Sequence, residues 1–126
     1  MVQIDISQLT AETAEWRQIL RNYREEFTEC KKLLSDNSHE IVGKEQLQEL
    51  EHFDNQFHIQ LVNIHDVKKD IKQHEKVLQF ELSQNDYITA TTYSRHEQLL
   101  AEFLSLENRL QTLRNEFRDF INATSC

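Results

Sequence analysis

The stretch Leu99–Phe120, LLAEFLSLENRLQTLRNEFRDF, decides the fold. Leu99, Phe103, Leu106, Leu110, Leu113, Phe117 and Phe120 are spaced 4, 3, 4, 3, 4 and 3 residues apart. Side chains at those intervals line one stripe of an α-helix, whereas a half-buried strand alternates at every second residue. The same rhythm occurs upstream. Trp16, Leu20, Tyr23, Phe27, Cys30 and Leu34 are spaced 4, 3, 4, 3 and 4, and Leu50, Phe57, Ile64, Ile71 and Leu78 recur every seven residues. These are the a and d positions of coiled-coil seams. We therefore expect three helices, over about 10–36, 44–82 and 88–121. Thr10 is a possible cap for the first, and Asp86 or the capping-box pattern Ser94-Arg95-His96-Glu97 can open the third. The fold class that follows is all-α, an elongated antiparallel up-down-up three-helix bundle, because short connections place consecutive helices antiparallel. At 1.5 Å per residue the second helix spans ~58 Å, and the whole chain, 1–126, reads as a single helical-bundle domain.

Composition supports this. The 126 residues contain one glycine and no proline, so turn-rich sandwiches, barrels and glycine-loop nucleotide binders are excluded on lack of turn residues. Charged residues make up 29% and the net charge is −8, which suits narrow apolar stripes between wide polar faces. An acidic balance opposes binding to nucleic-acid phosphates and to anionic membranes, and no run of 18 apolar residues offers a membrane span. Met1-Val2-Gln3-Ile4-Asp5 lacks the basic and apolar regions of a signal peptide, and Cys30 and Cys126 make no disulfide framework, so a cytoplasmic location is expected.

The expected first helix is shorter than the second. Packed back from the first turn, it reaches only about residue 70, leaving 71–99 as a two-helix tip. That tip carries Val77, Phe80, Tyr87, Ile88 and Tyr93, the candidate interaction residues, because a hairpin of two helices cannot shelter them all. Three covers are open: the N-terminal segment 1–9, read as extended from the alternation of Val2, Ile4, Ile6 and Leu9 with polar residues; a second copy of the chain; or another protein. Phe53, His52 and Gln56 form a second candidate group on the flank of the second helix.

Chemistry-bearing residues are few. His52, His58, His65 and His74 lie on the second helix, yet no two are three or four residues apart, the spacing that brings ligands to one metal ion. Glu49-x-x-His52 supplies one half of a di-iron carboxylate pattern with no second half, so no metal and no cofactor is expected, and a carboxylate/His metal bundle is the lesser alternative. His74 and His96 fall on facing seams at similar levels. Two imidazoles in a narrow core cannot both carry charge cheaply, which makes them a possible pH-sensitive pair. Ile64-His65-Asp66-Val67-Lys68-Lys69 resembles the phospho-accepting helix of sensor kinases and phosphotransfer bundles, with Lys69 where the latter carry a small residue and no proline downstream. That resemblance implies a histidine phosphotransfer module with His65 as acceptor. The principal expectation is different: a non-enzymatic protein–protein interaction or scaffold module, whose partner is itself, as a homodimer, or another protein.

Overall fold

The computed structural model of the chain describes residues 6–37, 43–84 and 87–124. Three helices account for nearly all of them: α1 (Ile6–Asn37), α2 (Lys44–Gln84) and α3 (Ala90–Thr124), with no strand among the described residues. Contacts fix the topology. Arg17 meets Glu75 while Lys31 meets Asp54, so α1 and α2 run in opposite directions. His74 meets His96 while Phe53 meets Phe117, so α2 and α3 do as well. Glu12 reaches His96 and Glu26 reaches Arg114, which sets α1 parallel to α3. The result is an up-down-up three-helix bundle.

Each helix buries the stripe its spacing dictates. Leu20, Phe27, Phe57, Ile64, Ile71, Leu99, Leu106 and Leu110 are enclosed almost completely, each contributing ~1.5–3 kcal/mol from removal of apolar surface from water. The aromatic residues gather toward the first turn. Phe57 stands edge-on to Phe27 and to Phe117, both with ring centroids 4.9 Å away. Such tilted pairs add to simple burial. Phe53, expected on an interaction flank, belongs to this core and packs on Phe117 and Phe120.

Two boundaries differ from expectation, and both alter the far end of the bundle. The third helix begins after Thr89, two residues beyond the expected 88 and at neither Asp86 nor Ser94. The Thr89 hydroxyl accepts a hydrogen bond from the Thr92 backbone N–H at 3.2 Å, and the Thr89 carbonyl accepts the first helical bond from Tyr93 at 3.0 Å. That is an N-cap satisfying a donor which would otherwise lack a partner. The first helix starts at Ile6, so the extended reading of 1–9 fails at residues 6–9, and residues 1–5 lie outside the described residues. Propagating a helix adds one backbone hydrogen bond per residue fixed, which an isolated extended strap does not. The seam also continues through these residues, since Leu9, Thr13 and Trp16 keep the 4, 3 spacing and all three are buried.

The longer α1 removes the two-helix tip. Leu9 packs with Leu78 and Ile88 in a small second core, with Tyr93 against it. Ile71 lies in the main core. Ile88, expected among the presented residues, is only 7% exposed because Leu9 and Leu78 enclose it.

Candidate functional site

Between the two apolar clusters lies a layer of polar side chains supplied by all three helices. Thr13 from α1, His74 and Glu81 from α2, and Thr92 and His96 from α3 are all buried. The two expected histidines are brought together. His74 Nε2 and His96 Nδ1 are 3.0 Å apart, and each residue is 3% exposed. On its other side His96 Nε2 is 2.8 Å from Glu12 Oε2, and its ring lies 4.9 Å from that of Trp16. A carboxylate only accepts, so His96 donates from Nε2 to Glu12, and its Nδ1 then accepts the Nε2–H of His74. The row His74→His96→Glu12 is thus satisfied with both imidazoles neutral. A proton added at the free Nδ1 of His74 leaves these hydrogen bonds in place but puts a charge in a buried site beside Arg95.

The surroundings agree with the neutral form. Burial, then His96, then the Arg95 guanidinium push His74 down from its ordinary 6.5 to about 4, with Glu81 opposing them. Glu81 accepts the Thr89 backbone N–H at 2.7 Å and the Thr92 hydroxyl. Burial alone would raise this carboxyl, but those hydrogen bonds outweigh it and hold it below the usual carboxylate range. Glu81 therefore ties the end of α2 to the cap of α3. Arg17 and Glu75 close the layer on the α1/α2 side as an ion pair, Nη2 donating to Oε2 at 3.2 Å and Nε lying 2.6 Å from Oε1.

Outside this layer the end of the bundle presents apolar surface. Val77 is 45% exposed, and Phe80 and Tyr87 are each 65% exposed. Tyr93 is half-buried. Val77 borders a groove between α2 and α3 of about 290 Å³, whose floor includes His74 and Thr92. Leu82 borders a second groove, about 420 Å³, walled on the α1 side by the small residues Ala11 and Ala14.

A third groove, about 450 Å³, runs along α1 and α2 and has the opposite chemistry. His65, Lys69, Lys72 and Lys76 share one face of α2 at intervals of four, three and four, and Arg24 faces them from α1. His65 is exposed. Lys68 lies beneath, 8% exposed at a seam position. Burial, then the charges of Arg24, Lys72, Arg21 and Arg17, lower its ammonium from 10.5.

The remaining candidates stay apart. His52 is exposed with its ring 5.6 Å from that of Phe53, and Gln56 is half-buried. Among the described residues no three His, Cys, Asp or Glu side chains converge to hold a metal ion. Cys30 is half-buried in the α1 seam, and burial, followed by Glu26 and Glu29, pushes its thiol up to about 11, which suppresses the thiolate. Cys126 lies outside the described residues. No described helix is long and apolar enough to cross a membrane.

Sequence reasoning paired His74 with His96 from antiparallel register, but it missed Glu12, Glu81 and Thr92, which complete the layer. Glu12 is 84 residues from His96, and nothing local marks it as the partner. The basic groove had a signal, Lys68 interrupting an apolar seam with Lys69, Lys72 and Lys76 after it. Comparison of the chain with known protein families, with characterised proteins and with solved structures finds no match.

Proposed function

We propose that the chain is a non-enzymatic, cytoplasmic protein–protein interaction module that docks through the end of the bundle farthest from the first turn. The exposure of Val77, Phe80 and Tyr87 carries this reading. The chain has the means to bury apolar side chains there, because Leu9, Leu78 and Ile88 are enclosed a few residues away, yet these three are left in water. Phe80 and Tyr87 are the most exposed large apolar side chains among the described residues, and exposed apolar surface is the usual mark of a docking site. The mechanism is rigid presentation: α2 holds Val77 and Phe80 three residues apart, Tyr87 stands just before α3, and a partner helix seats beside them. The first partner to test is a second copy. Sedimentation of the wild type and of Phe80→Glu, with helicity followed by circular dichroism, supplies the test. Self-association is supported by a dimer that becomes a monomer of unchanged helicity in the variant. A wild type that sediments as a monomer at 100 μM removes the second copy and leaves a different protein as the partner.

One observation favours a second reading. His65, the residue whose surroundings resemble a phospho-accepting helix, is exposed at the rim of a groove lined with lysines, where an incoming phosphoryl group would be electrostatically favoured. Incubation with acetyl phosphate, comparing wild type with His65→Gln by intact mass, checks it. An 80 Da increase confined to the wild type supports phosphotransfer, and its absence removes that reading.

A further inference from the structure

The groove between α1 and α2 holds positive charge that the chain does not neutralise. The protein has 22 acidic and 14 basic residues, so counterions are plentiful. Four cations elsewhere use them: Arg17 takes Glu75, Lys31 takes Asp54, Arg95 takes Asp70 and Glu102, and Arg114 takes Glu26, while Arg21, Lys32, Lys44, Arg109 and Arg118 make no ion pair among the described residues. Arg24, Lys68, Lys69, Lys72 and Lys76 make no ion pair among the described residues, and no carboxylate lines the groove. Lys68 makes the arrangement costly. Its stem is buried at the seam while its ammonium reaches the groove, where it faces further cations and no carboxylate. An ionised group held in that state gains most from an anion brought from outside, since attraction is strongest where water is partly excluded.

Size and spacing limit the anion. A space of about 450 Å³ corresponds to roughly fifteen waters at ~30 Å³ each, more than one orthophosphate needs. The cations from Lys68 to Lys76 extend ~12 Å along α2, with Arg24 opposite, so the ligand must carry several negative charges in a row. Lysine ammonium groups are point charges suited to phosphate oxygens, and the rim arginine can grip a phosphate with two parallel bonds. We infer that this groove binds a linear polyphosphate, either free inorganic polyphosphate or the triphosphate of a nucleotide, with Lys68 at its floor and Arg24, Lys69, Lys72 and Lys76 as walls. This site lies on the α1/α2 face of the bundle, apart from the apolar docking residues; His65 stands at its rim, and binding requires no phosphoryl transfer to it.

Titration calorimetry of the full chain at 0.15 M salt, using inorganic tripolyphosphate, ATP and orthophosphate as probes at constant ionic strength, tests it. Tripolyphosphate should bind with one site per chain, and orthophosphate at least tenfold more weakly. ATP binding equal to tripolyphosphate assigns recognition to the phosphates alone, and tighter ATP binding adds a base or sugar contact. Lys72→Gln and Lys69→Gln, both on the exposed wall, should each weaken binding by about tenfold, while Lys44→Gln, outside the groove, leaves it unchanged. His65→Gln retaining the affinity separates this site from phosphotransfer. Absence of tripolyphosphate binding at millimolar concentration overturns the inference. So does equal binding by the Lys72→Gln and wild-type chains, or tighter binding of a poly-glutamate peptide than of tripolyphosphate.

Discussion

Acidification should unfold the bundle through His74, and the size of the effect follows from its surroundings. In the unfolded chain this imidazole titrates near its ordinary 6.5, while in the folded chain it titrates at about 4. The folded state therefore binds fewer protons than the unfolded state between these values, and stability rises with pH across that window. The contribution is fully present above pH 6.5, falls as pH drops, and is exhausted near pH 4. The shift of two and a half units corresponds to about 3.4 kcal/mol in all, of which about 1.8 kcal/mol is lost between pH 7 and pH 5. The groups facing His74 are His96 and Arg95 from α3 and Glu81 from its own helix, with Glu12 of α1 bonded to His96. Glu81 is held below its usual range, so its loss begins only at lower pH and adds to the same trend. Urea unfolding at pH 7 and pH 5, followed by far-ultraviolet circular dichroism and by the fluorescence of Trp16 beside His96, measures the difference. His74→Gln retains a donor toward His96 and removes the titration. The wild type should lose about 1.8 kcal/mol more than the variant over this interval. If both chains lose the same stability, the neutral pair is not what the acid disrupts and the reasoning fails.

Three further outcomes follow from single side chains. Phe57→Ala empties the space between Phe27 and Phe117 and should cost ~3–5 kcal/mol in urea unfolding, against a loss below ~0.5 kcal/mol for an exposed replacement such as Gln48→Ala. Thr89→Ala removes the cap of α3 and its hydroxyl link to Thr92, so ~1–2 kcal/mol should disappear, read as an earlier urea midpoint at unchanged slope. Cys30, with its thiol at about 11 against an ordinary 9.0, should react with a disulfide reagent at pH 8 about 100-fold more slowly than an unhindered thiol, measured in a Cys126→Ser background.

The seams were legible because apolar side chains at seven-residue spacing have one simple solution, a helix facing others. What escaped was polar. Glu81 and Thr13 occupy core positions, and a pattern built from apolar residues passes over them. Thr13 alone would have carried the α1 seam back to Leu9 and revealed the longer helix. Ile88 was misplaced for the same reason, since its burial depends on Leu9, almost eighty residues away. Val77 and Phe80 lie off the α2 seam, and their exposure could be read from that alone. Glu12 could not be assigned, because which of many glutamates meets a buried histidine is set by the relative height of two helices.

That relative height needs a physical cause. Repeating Leu and Phe residues fill seam positions about equally well after a slip of seven residues, so the apolar stripes by themselves leave the register of α1 weakly specified. The polar layer is not repeated. A heptad slip would take Glu12 away from His96, Arg17 away from Glu75, and place apolar side chains against the His74–His96 row, leaving buried groups without partners. A single polar position sets register in coiled coils at some expense of stability, and this layer has the same character. Replacing His74 and His96 together by Leu should therefore leave stability equal or increased while loosening the register. Spin labels at Gln18 and Asn108, both exposed, should report one distance in the parent chain and two or more in the double variant. A single unchanged distance, with stability equal or higher, would show that the apolar stripes set the register unaided.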